Sequence, residues 1–218
     1  MTAGRAVDGV RVRQTVFGDA PDVLADIYQE SANMAVWRRQ PEAFVTEECR
    51  QALTERRFTG SSTALSSMQL QHLDEAIPEL VPYPHLRADV QSLAEMFICL
   101  FGLQAVGLRM TPLAKAMCPR FHVDRVPCRL VTTYLGKGTE WLPHHRVDRS
   151  KLGAGNGGLS DAESGLYSDP DAVQTLAHAH VALLKGELWE GNENAGLVHR
   201  SPAIGPGEQR LLVTMDCM

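Results

Sequence analysis

The sequence predicts an α+β fold in which helices come first along the chain and short strands follow. Over much of the first hundred residues, apolar residues recur every three or four positions, which is typical of amphipathic helices. After Gly102, apolar residues alternate with polar ones or form short β-branched runs between glycine-rich turns. This order favours an α+β or sandwich-like protein over a parallel α/β protein, in which strands and helices alternate.

The helical prediction covers the chain to about residue 105. Asp19 and Pro21 suit the start of a helix, and Pro78 and the 82–84 segment interrupt the pattern. The clearest helix begins at His85, because its apolar positions keep the three- or four-residue spacing for five turns. The predicted helices span residues 19–37, 46–57, 66–78 and 85–103.

The strand prediction covers residues 106–218. The predicted strands span residues 106–110, 121–124, 129–135, 181–184 and 210–215. Residues 143–170 are rich in Gly, Ser and Asp without periodicity, and such a long loop is more often functional than inert. We expect this loop to shape access to a site, and the two regions, 1–105 and 106–218, to form one compact unit.

The composition excludes several classes of function. The chain has 218 residues, of which 44% are hydrophobic and 22% charged, as in an ordinary globular protein. Its 21 Lys and Arg against 26 Asp and Glu give a net charge of −5, which does not suit a nucleic-acid-binding protein. The longest apolar run, residues 96–101, is far shorter than the roughly 20 residues that span a bilayer.

The cysteine pattern indicates a cytoplasmic protein. The five cysteines are an odd number without a Cys-x-x-Cys pair, unlike the disulfide framework of a secreted protein. The first eight residues also lack the apolar stretch of an export signal.

A histidine motif is the strongest functional signal. His122 and Asp124 lie on a predicted strand, where residues two apart share a face and are about 6–7 Å apart, so both can bind one metal ion. A second such motif, His72 and Asp74, lies on a predicted helix, where positions two apart diverge by about 200°. His199 is the leading candidate for a third ligand. Two histidines and one carboxylate leave three positions open, as in non-haem Fe(II) oxygenases.

Other residues leave alternatives open. Without a metal, His122 would simply pair with a neighbouring carboxylate. A zinc site is possible because thiols flank the motif, and its ligands would be Cys118, His122 and Cys128, with Cys217 as a fourth. A second metal site or another ligand set would use His144, His145, His178 and His180.

The order of these motifs resembles that of the Fe(II)/2-oxoglutarate dioxygenases, above all the prolyl-hydroxylase-like members. In that family a His-x-Asp strand is followed by a strand ending in a Tyr-Leu-Asn-like step, and a distal His precedes an Arg or Lys that opens the last strand. Here the corresponding residues are His122 and Asp124, then Tyr134, and finally His199 and Arg210. The segments 118–128 and 199–202 also resemble a bacterial family of unknown function.

The dioxygenase resemblance implies a C-terminal double-stranded β-helix, a jelly-roll or cupin-like fold, with the N-terminal helices packed on it. It also implies that His122, Asp124 and His199 hold iron, and that Arg210 binds the distal carboxylate of 2-oxoglutarate with Tyr134. A guanidinium suits that task because it presents a rigid, permanently charged fork. Gly136 and Leu212 depart from the family, which often has Asn at the first position and Ser or Thr at the second.

The implied function is an Fe(II)-dependent, 2-oxoglutarate-dependent oxygenase that hydroxylates a small-molecule or peptide substrate. Four arginines near the motifs suggest an anionic substrate, unless they are ordinary surface charges: Arg120, Arg125, Arg129 and Arg200. The alternative function is a non-enzymatic protein on the same scaffold that senses or buffers zinc or iron. A third hypothesis is a cupin-like isomerase or hydrolase, which would leave Arg210 without a role.

Overall fold

A computed structural model describes residues 13–55 and 58–218 as two β-sheets with helices against one of them. The strands are β1 (Gln14–Gly18), β2 (Ala32–Trp37), β3 (Ser61–Ser66), β4 (Ala105–Leu113), β5 (Cys128–Leu135), β6 (Glu140–Leu142), β7 (Gln174–Thr175), β8 (Val181–Lys185), β9 (Val198–Arg200) and β10 (Arg210–Cys217). The α-helices are α1 (Ala43–Thr54), α2 (Ser67–Leu70), α3 (Leu73–Ala76) and α4 (Pro84–Phe101). The 3-10 helices are Pro21–Tyr28, Pro78–Leu80, His144–Arg146, Arg149–Lys151, Gly153–Asn156 and Pro170–Ala172.

The main sheet has seven strands in the order β1-β2-β8-β5-β10-β4-β3, and the second sheet has the order β7-β6-β9. Strands β1 and β2 are parallel, and the other pairings are antiparallel. At the centre, Thr214 on β10 is opposite Arg109 on β4 and Val131 on β5. This register aligns side chains from three strands on one face of the main sheet.

Each face of the main sheet covers a separate apolar core. The larger core lies between this sheet and the helices, and it combines Leu211 and Val213 of β10 with residues such as Phe97 of α4. The smaller core lies between the two sheets, where Leu212 meets Trp141 of β6. Successive strand residues point to opposite faces, so alternate residues of β10 enter different cores.

The region predicted to be a helical layer also supplies strands β1, β2 and β3 to the main sheet. The predicted helix over residues 19–37 is wrong in its second half, because a 3-10 helix ends at Tyr28 and β2 follows. Strand β2 is buried on both faces, with Ala35 in the larger core and Met34 in the smaller one. A strand buried on both faces is apolar throughout and lacks the alternation that identifies strands in a sequence.

The other helix predictions agree better with the structure. Helices α1 and α4 lie within a few residues of the predicted spans 46–57 and 85–103, although residues 56–57 lie outside the described part of the chain. The span 66–78 contains two short helices, α2 and α3, instead of one. Helix α4 ends at Gly102, whose φ of 61° is the left-handed conformation that glycine favours at this position.

The predicted strands 106–110, 129–135, 181–184 and 210–215 correspond to β4, β5, β8 and β10. The predicted strand at 121–124 is not a strand, because His122 forms only an isolated bridge there. The division of the chain at residue 105 stays a prediction, and the first eight residues lie outside the described chain. Within the described residues, the helices are too short or too polar to cross a membrane.

Candidate metal centre

His122 and His199 are held side by side by their backbones. The N–H of each residue donates to the carbonyl of the other, at 3.0 Å in both directions. Directly opposed residues of an antiparallel pair project to the same side, and the two ring centroids are 4.6 Å apart. The fold therefore joins two imidazoles that are far apart in the sequence.

Both imidazoles are oriented in the same way. Nδ1 of His122 is 2.9 Å from the carbonyl oxygen of Arg120, and Nδ1 of His199 is 3.2 Å from that of Leu197. A carbonyl oxygen only accepts hydrogen bonds, so the network assigns the proton of each neutral ring to Nδ1. This leaves the Nε2 lone pairs of both rings free to bind a metal ion.

Asp124 completes a three-residue group. Its Oδ2 is 3.3 Å from Nε2 of His199, and its Oδ1 is 3.6 Å from Nε2 of His122. All three candidate ligand atoms lie within 4.8 Å of one another, and no fourth His, Cys, Asp or Glu of the described residues joins them. The structure thus brings together the three residues that the sequence singled out.

Arg129 holds the carboxylate of Asp124. Its Nη1 donates to Asp124 Oδ2 at 2.7 Å, while Nε and Nη2 donate to the two oxygens of Asp216. Burial by itself would raise the pKa of Asp124, but the two imidazoles, which donate from Nε2 only when they are protonated, and the charge of Arg129 lower that pKa well below its usual range. Because protonated His122 can donate to Asp124, the carboxylate raises the pKa of His122 against the effect of burial. Asp124 is therefore ionised at neutral pH, as a metal ligand must be.

Arg210 lines the same cleft as His122 and His199 and is only 1% exposed. Its Nη2 donates to the hydroxyls of Thr133, at 3.0 Å, and Thr139, at 2.8 Å. Its Nε and Nη1 have no hydrogen-bond partner among the described residues, and burial lowers its pKa to about 10. The guanidinium thus has two buried donors that the described chain does not use.

Thr133 and Thr139 were missed by the sequence analysis. The family resemblance directed attention to position 212, where a hydroxyl residue is often found and this chain has Leu. The hydroxyls come instead from β5 and from the turn before β6. Thr133 could have been identified from alternation along β5. Arg129, Val131 and Thr133 are two positions apart in turn, so their side chains point to the same face of the strand.

The prediction that Tyr134 binds the cosubstrate is wrong. Tyr134 follows Thr133 on β5, so its side chain points to the other face of the sheet and enters the larger core. Its hydroxyl donates to Asp89 of α4, and Arg39 pairs with the same carboxylate at 2.6 Å. Tyr134 therefore belongs to a buried polar group between the sheet and α4.

The alternative metal sites do not assemble. Cys128 lies in the larger core on the helical side of β5, next to Cys217, whereas Cys118 lines the cleft. The proposed zinc ligands therefore lie on opposite faces of the main sheet. Among the described residues, the four remaining candidate histidines join no group of three ligands: His144, His145, His178 and His180.

The nearby arginines differ in how they are paired. Arg129 is neutralised by Asp124 and Asp216, and Arg200 by Glu140 and Asp161. Arg120 is exposed and donates to a backbone carbonyl. Arg109 lines the cleft, is exposed and has no carboxylate partner among the described residues.

Comparison with known proteins gives a family and a fold. A family model described as "Protein of unknown function (DUF1826)" matches residues 18–216. No curated protein matches the chain. Two solved structures are similar to it over most of their length, and both comparisons give a TM-score of 0.51.

The first of these structures is a dioxygenase for auxin oxidation in rice, with 14% identity over 94% of this chain and 83% of that chain. The second is a full-length Neurospora crassa protein in complex with alpha-KG and 5-formyluracil, with 12% identity over 99% of this chain and 88% of that chain. At such low identity, these similarities show the fold alone. The chain has the jelly-roll type of fold found in 2-oxoglutarate oxygenases.

Proposed function

The chain belongs to DUF1826, a family of unknown function, so we propose an activity from the residues of its own site. We propose that it is an Fe(II)- and 2-oxoglutarate-dependent oxygenase that hydroxylates a small-molecule or peptide substrate. One observation carries the proposal. A buried arginine with two unused donor nitrogens, Arg210, lines one cleft with His122 and His199, which Asp124 joins in a three-residue group. The fold shared with the rice dioxygenase and with the Neurospora crassa protein, which was solved with alpha-KG, supports the same activity.

The donor set fits Fe(II). Two imidazole nitrogens and one carboxylate form the facial group of non-haem Fe(II) oxygenases, which leaves positions for other ligands. Both histidines line a cleft, so bound molecules have access to those positions. Because no thiol joins the group among the described residues, the set differs from the closed cysteine-rich shells of structural zinc sites.

The surroundings of Arg210 fit a carboxylate ligand. A buried charge without an ion pair is unfavourable, and among the described residues Arg210 hydrogen-bonds only two neutral hydroxyls and forms no ion pair, although the charge of Glu140 acts on it. A carboxylate bound there would supply both the charge and the acceptors that this guanidinium lacks. The distal carboxylate of 2-oxoglutarate suits this position while its keto-acid end binds iron.

Several residues around the proposed metal ligands have separate roles. A bound Fe(II) would activate O₂, and 2-oxoglutarate would supply two electrons, so that one oxygen atom enters a substrate C–H bond and the other enters succinate with release of CO₂. The carbonyls of Arg120 and Leu197 keep the imidazoles oriented, and Arg129 keeps Asp124 ionised and in place. Apolar residues such as Val131 and Leu212 line the cleft and exclude water from the site.

We propose that the substrate carries an anionic group that binds Arg109. Arg129 and Arg200 are already neutralised by carboxylates, so they do not attract a further anion strongly. Arg109 also lines the cleft. Its side chain is exposed and forms no ion pair with a carboxylate of the described residues. It lies beside Thr214 on the main sheet, where an entering substrate would contact it.

The proposal includes a cytoplasmic location. An odd set of five cysteines without a Cys-x-x-Cys pair suits a reducing compartment better than a secreted disulfide framework.

Anaerobic absorption spectroscopy tests the proposed function. We expect Fe(II) and 2-oxoglutarate together to give a metal-to-ligand charge-transfer band in the visible range, and Fe(II) alone to give none. Admitting O₂ is then expected to produce succinate slowly without a prime substrate. Neither a band nor succinate from iron-loaded protein would contradict the proposal and favour a metal-sensing or metal-buffering protein.

A further inference from the structure

Asp161 is a buried carboxylate in an otherwise exposed part of the long segment between β6 and β7. It is 8% exposed, whereas the residues at positions 157–160, 162 and 163 are exposed or nearly so. A single oxygen, Oδ2, accepts the N–H of Phe121 at 3.0 Å and Nη1 of Arg200 at 3.0 Å. The long segment is thus anchored at this point by two hydrogen bonds to one atom.

Both partners of Asp161 are direct sequence neighbours of the candidate metal ligands. Phe121 precedes His122, and Arg200 follows His199. The Arg200 guanidinium also lies 4.2 Å from the centroid of the Phe121 ring. One carboxylate therefore links the two chain segments that present the imidazoles.

Such a link would add to the backbone contacts of the imidazoles, because the backbone at His122 has little regular structure. Residues 118–127 form no strand, and His122 contacts β9 through one isolated pair of hydrogen bonds. A metal site tolerates errors of only about 0.2 Å in its ligand distances. A second fixed point next to each imidazole would keep the two Nε2 atoms in place before a metal ion binds.

We propose that Asp161 is a positioning residue for the metal centre, through which the long segment fixes both imidazoles. This proposal rests on the proposed function, since it assumes that the group of His122, Asp124 and His199 binds a metal ion. Groups outside the ligand shell that orient ligands typically contribute about 10- to 100-fold to metal affinity. The 143–170 loop then supports the site as well as covering it.

Co(II) binding to the full-length protein tests the proposal, with two variants compared. Asp161→Ala removes the link. Glu140→Ala is the matched control, because Glu140 is the other carboxylate on Arg200, at 2.7 Å, but does not accept the Phe121 N–H. We expect Asp161→Ala to weaken Co(II) binding by about tenfold or more and to change the visible spectrum of bound Co(II). Glu140→Ala is expected to retain the wild-type spectrum and to lose less affinity.

Equal losses in the two variants, or wild-type affinity and spectrum in Asp161→Ala, would overturn the positioning role and leave the proposed function intact. A wild-type protein that binds no Co(II) would overturn the proposed function, and the positioning role with it. If Asp161→Ala does not fold, Asp161→Asn replaces it, because it keeps an oxygen for the Phe121 N–H and loses only the charge. An altered Co(II) spectrum in that variant supports the proposal, and an unaltered one overturns it.

Discussion

His122 and His199 exchange two backbone hydrogen bonds, and each ring is tied through Nδ1 to the carbonyl two residues before it. The same short pattern therefore orients both imidazoles, with Nε2 directed toward Asp124. Because these contacts are made by the backbone, the orientation does not depend on a bound metal ion. The site is preorganised, which lowers the cost of binding.

Replacing Arg210 with Met is expected to weaken 2-oxoglutarate binding by about 10- to 100-fold, since a hydrogen bond to a charged group contributes about 1.5–3 kcal/mol. Metal affinity should change little, because the hydrogen bonds of Arg210 go to Thr133 and Thr139 and not to the candidate metal ligands. Calorimetric titration of 2-oxoglutarate into anaerobic, iron-loaded protein measures the effect. Arg146→Met, which changes an exposed arginine, is the control. Wild-type affinity in Arg210→Met would contradict the assigned role.

Arg210→Met is not expected to lower the thermal stability of the protein. In the ligand-free protein, Arg210 is a buried cation without a carboxylate partner among the described residues, so its removal should leave Tm unchanged or raise it. Thermal unfolding followed by circular dichroism measures this. A clear fall in Tm would show that the guanidinium is already compensated in the ligand-free protein.

Replacing Tyr134 with Phe is expected to leave 2-oxoglutarate affinity unchanged, because the hydroxyl faces Asp89 on the far side of the main sheet. The loss of this donor to a partly buried carboxylate should lower the free energy of unfolding by about 1–3 kcal/mol. Urea unfolding and ligand titration of the same preparation separate the two effects. A large loss of 2-oxoglutarate affinity with little loss of stability would restore the role that the dioxygenase resemblance implied for Tyr134.

Lys185 is expected to make the free energy of unfolding depend on pH. Burial lowers its pKa to about 8, from a usual value of 10.5, and its Nζ donates to the carbonyl of Gln29 at 2.8 Å. Between these two values the unfolded chain binds more protons than the folded chain, so this group makes the free energy of unfolding rise with pH. Below about pH 8 both states are protonated and the contribution is constant.

Urea unfolding at several pH values between about 7 and 10 tests this prediction, with wild type compared to Lys185→Met. The variant is expected to lose the part of the rise that begins near pH 8, and Lys151→Met, at a position on the loop, is expected to keep it. Parallel curves for the wild type and Lys185→Met would show that Lys185 has an ordinary pKa.

Local sequence patterns predicted the elements that have a clear period or a turn signal beside them. Helix α4 was located by its three- to four-residue period, and strand β10 as a short apolar run that follows the glycine-rich turn at 205–207. Strand β2 is likewise buried on both faces, but no Gly or Pro separates it from the 3-10 helix before it, so it was misread as helix. The predicted strand at His122 was also wrong, although the proximity of His122 and Asp124 that was argued from strand geometry is present without it.

The candidate site was predictable where residue type and order determine it. Two histidines and an aspartate are unusual enough to be noticed, and Arg210 follows His199 at the start of a strand. Thr139 and Asp161 were not predictable, because a hydroxyl in a turn and an aspartate in a loop have no distinguishing pattern. Their contacts depend on how the loops fold over the cleft.

The central claim is that His122, Asp124 and His199 bind one metal ion. The most direct measurement is iron bound per chain after anaerobic loading and desalting, for the wild type, His199→Ala and the exposed control His178→Ala. We predict about one iron per chain for the wild type and the control, and a small fraction of that for His199→Ala. Equal iron content in all three proteins would contradict the claim.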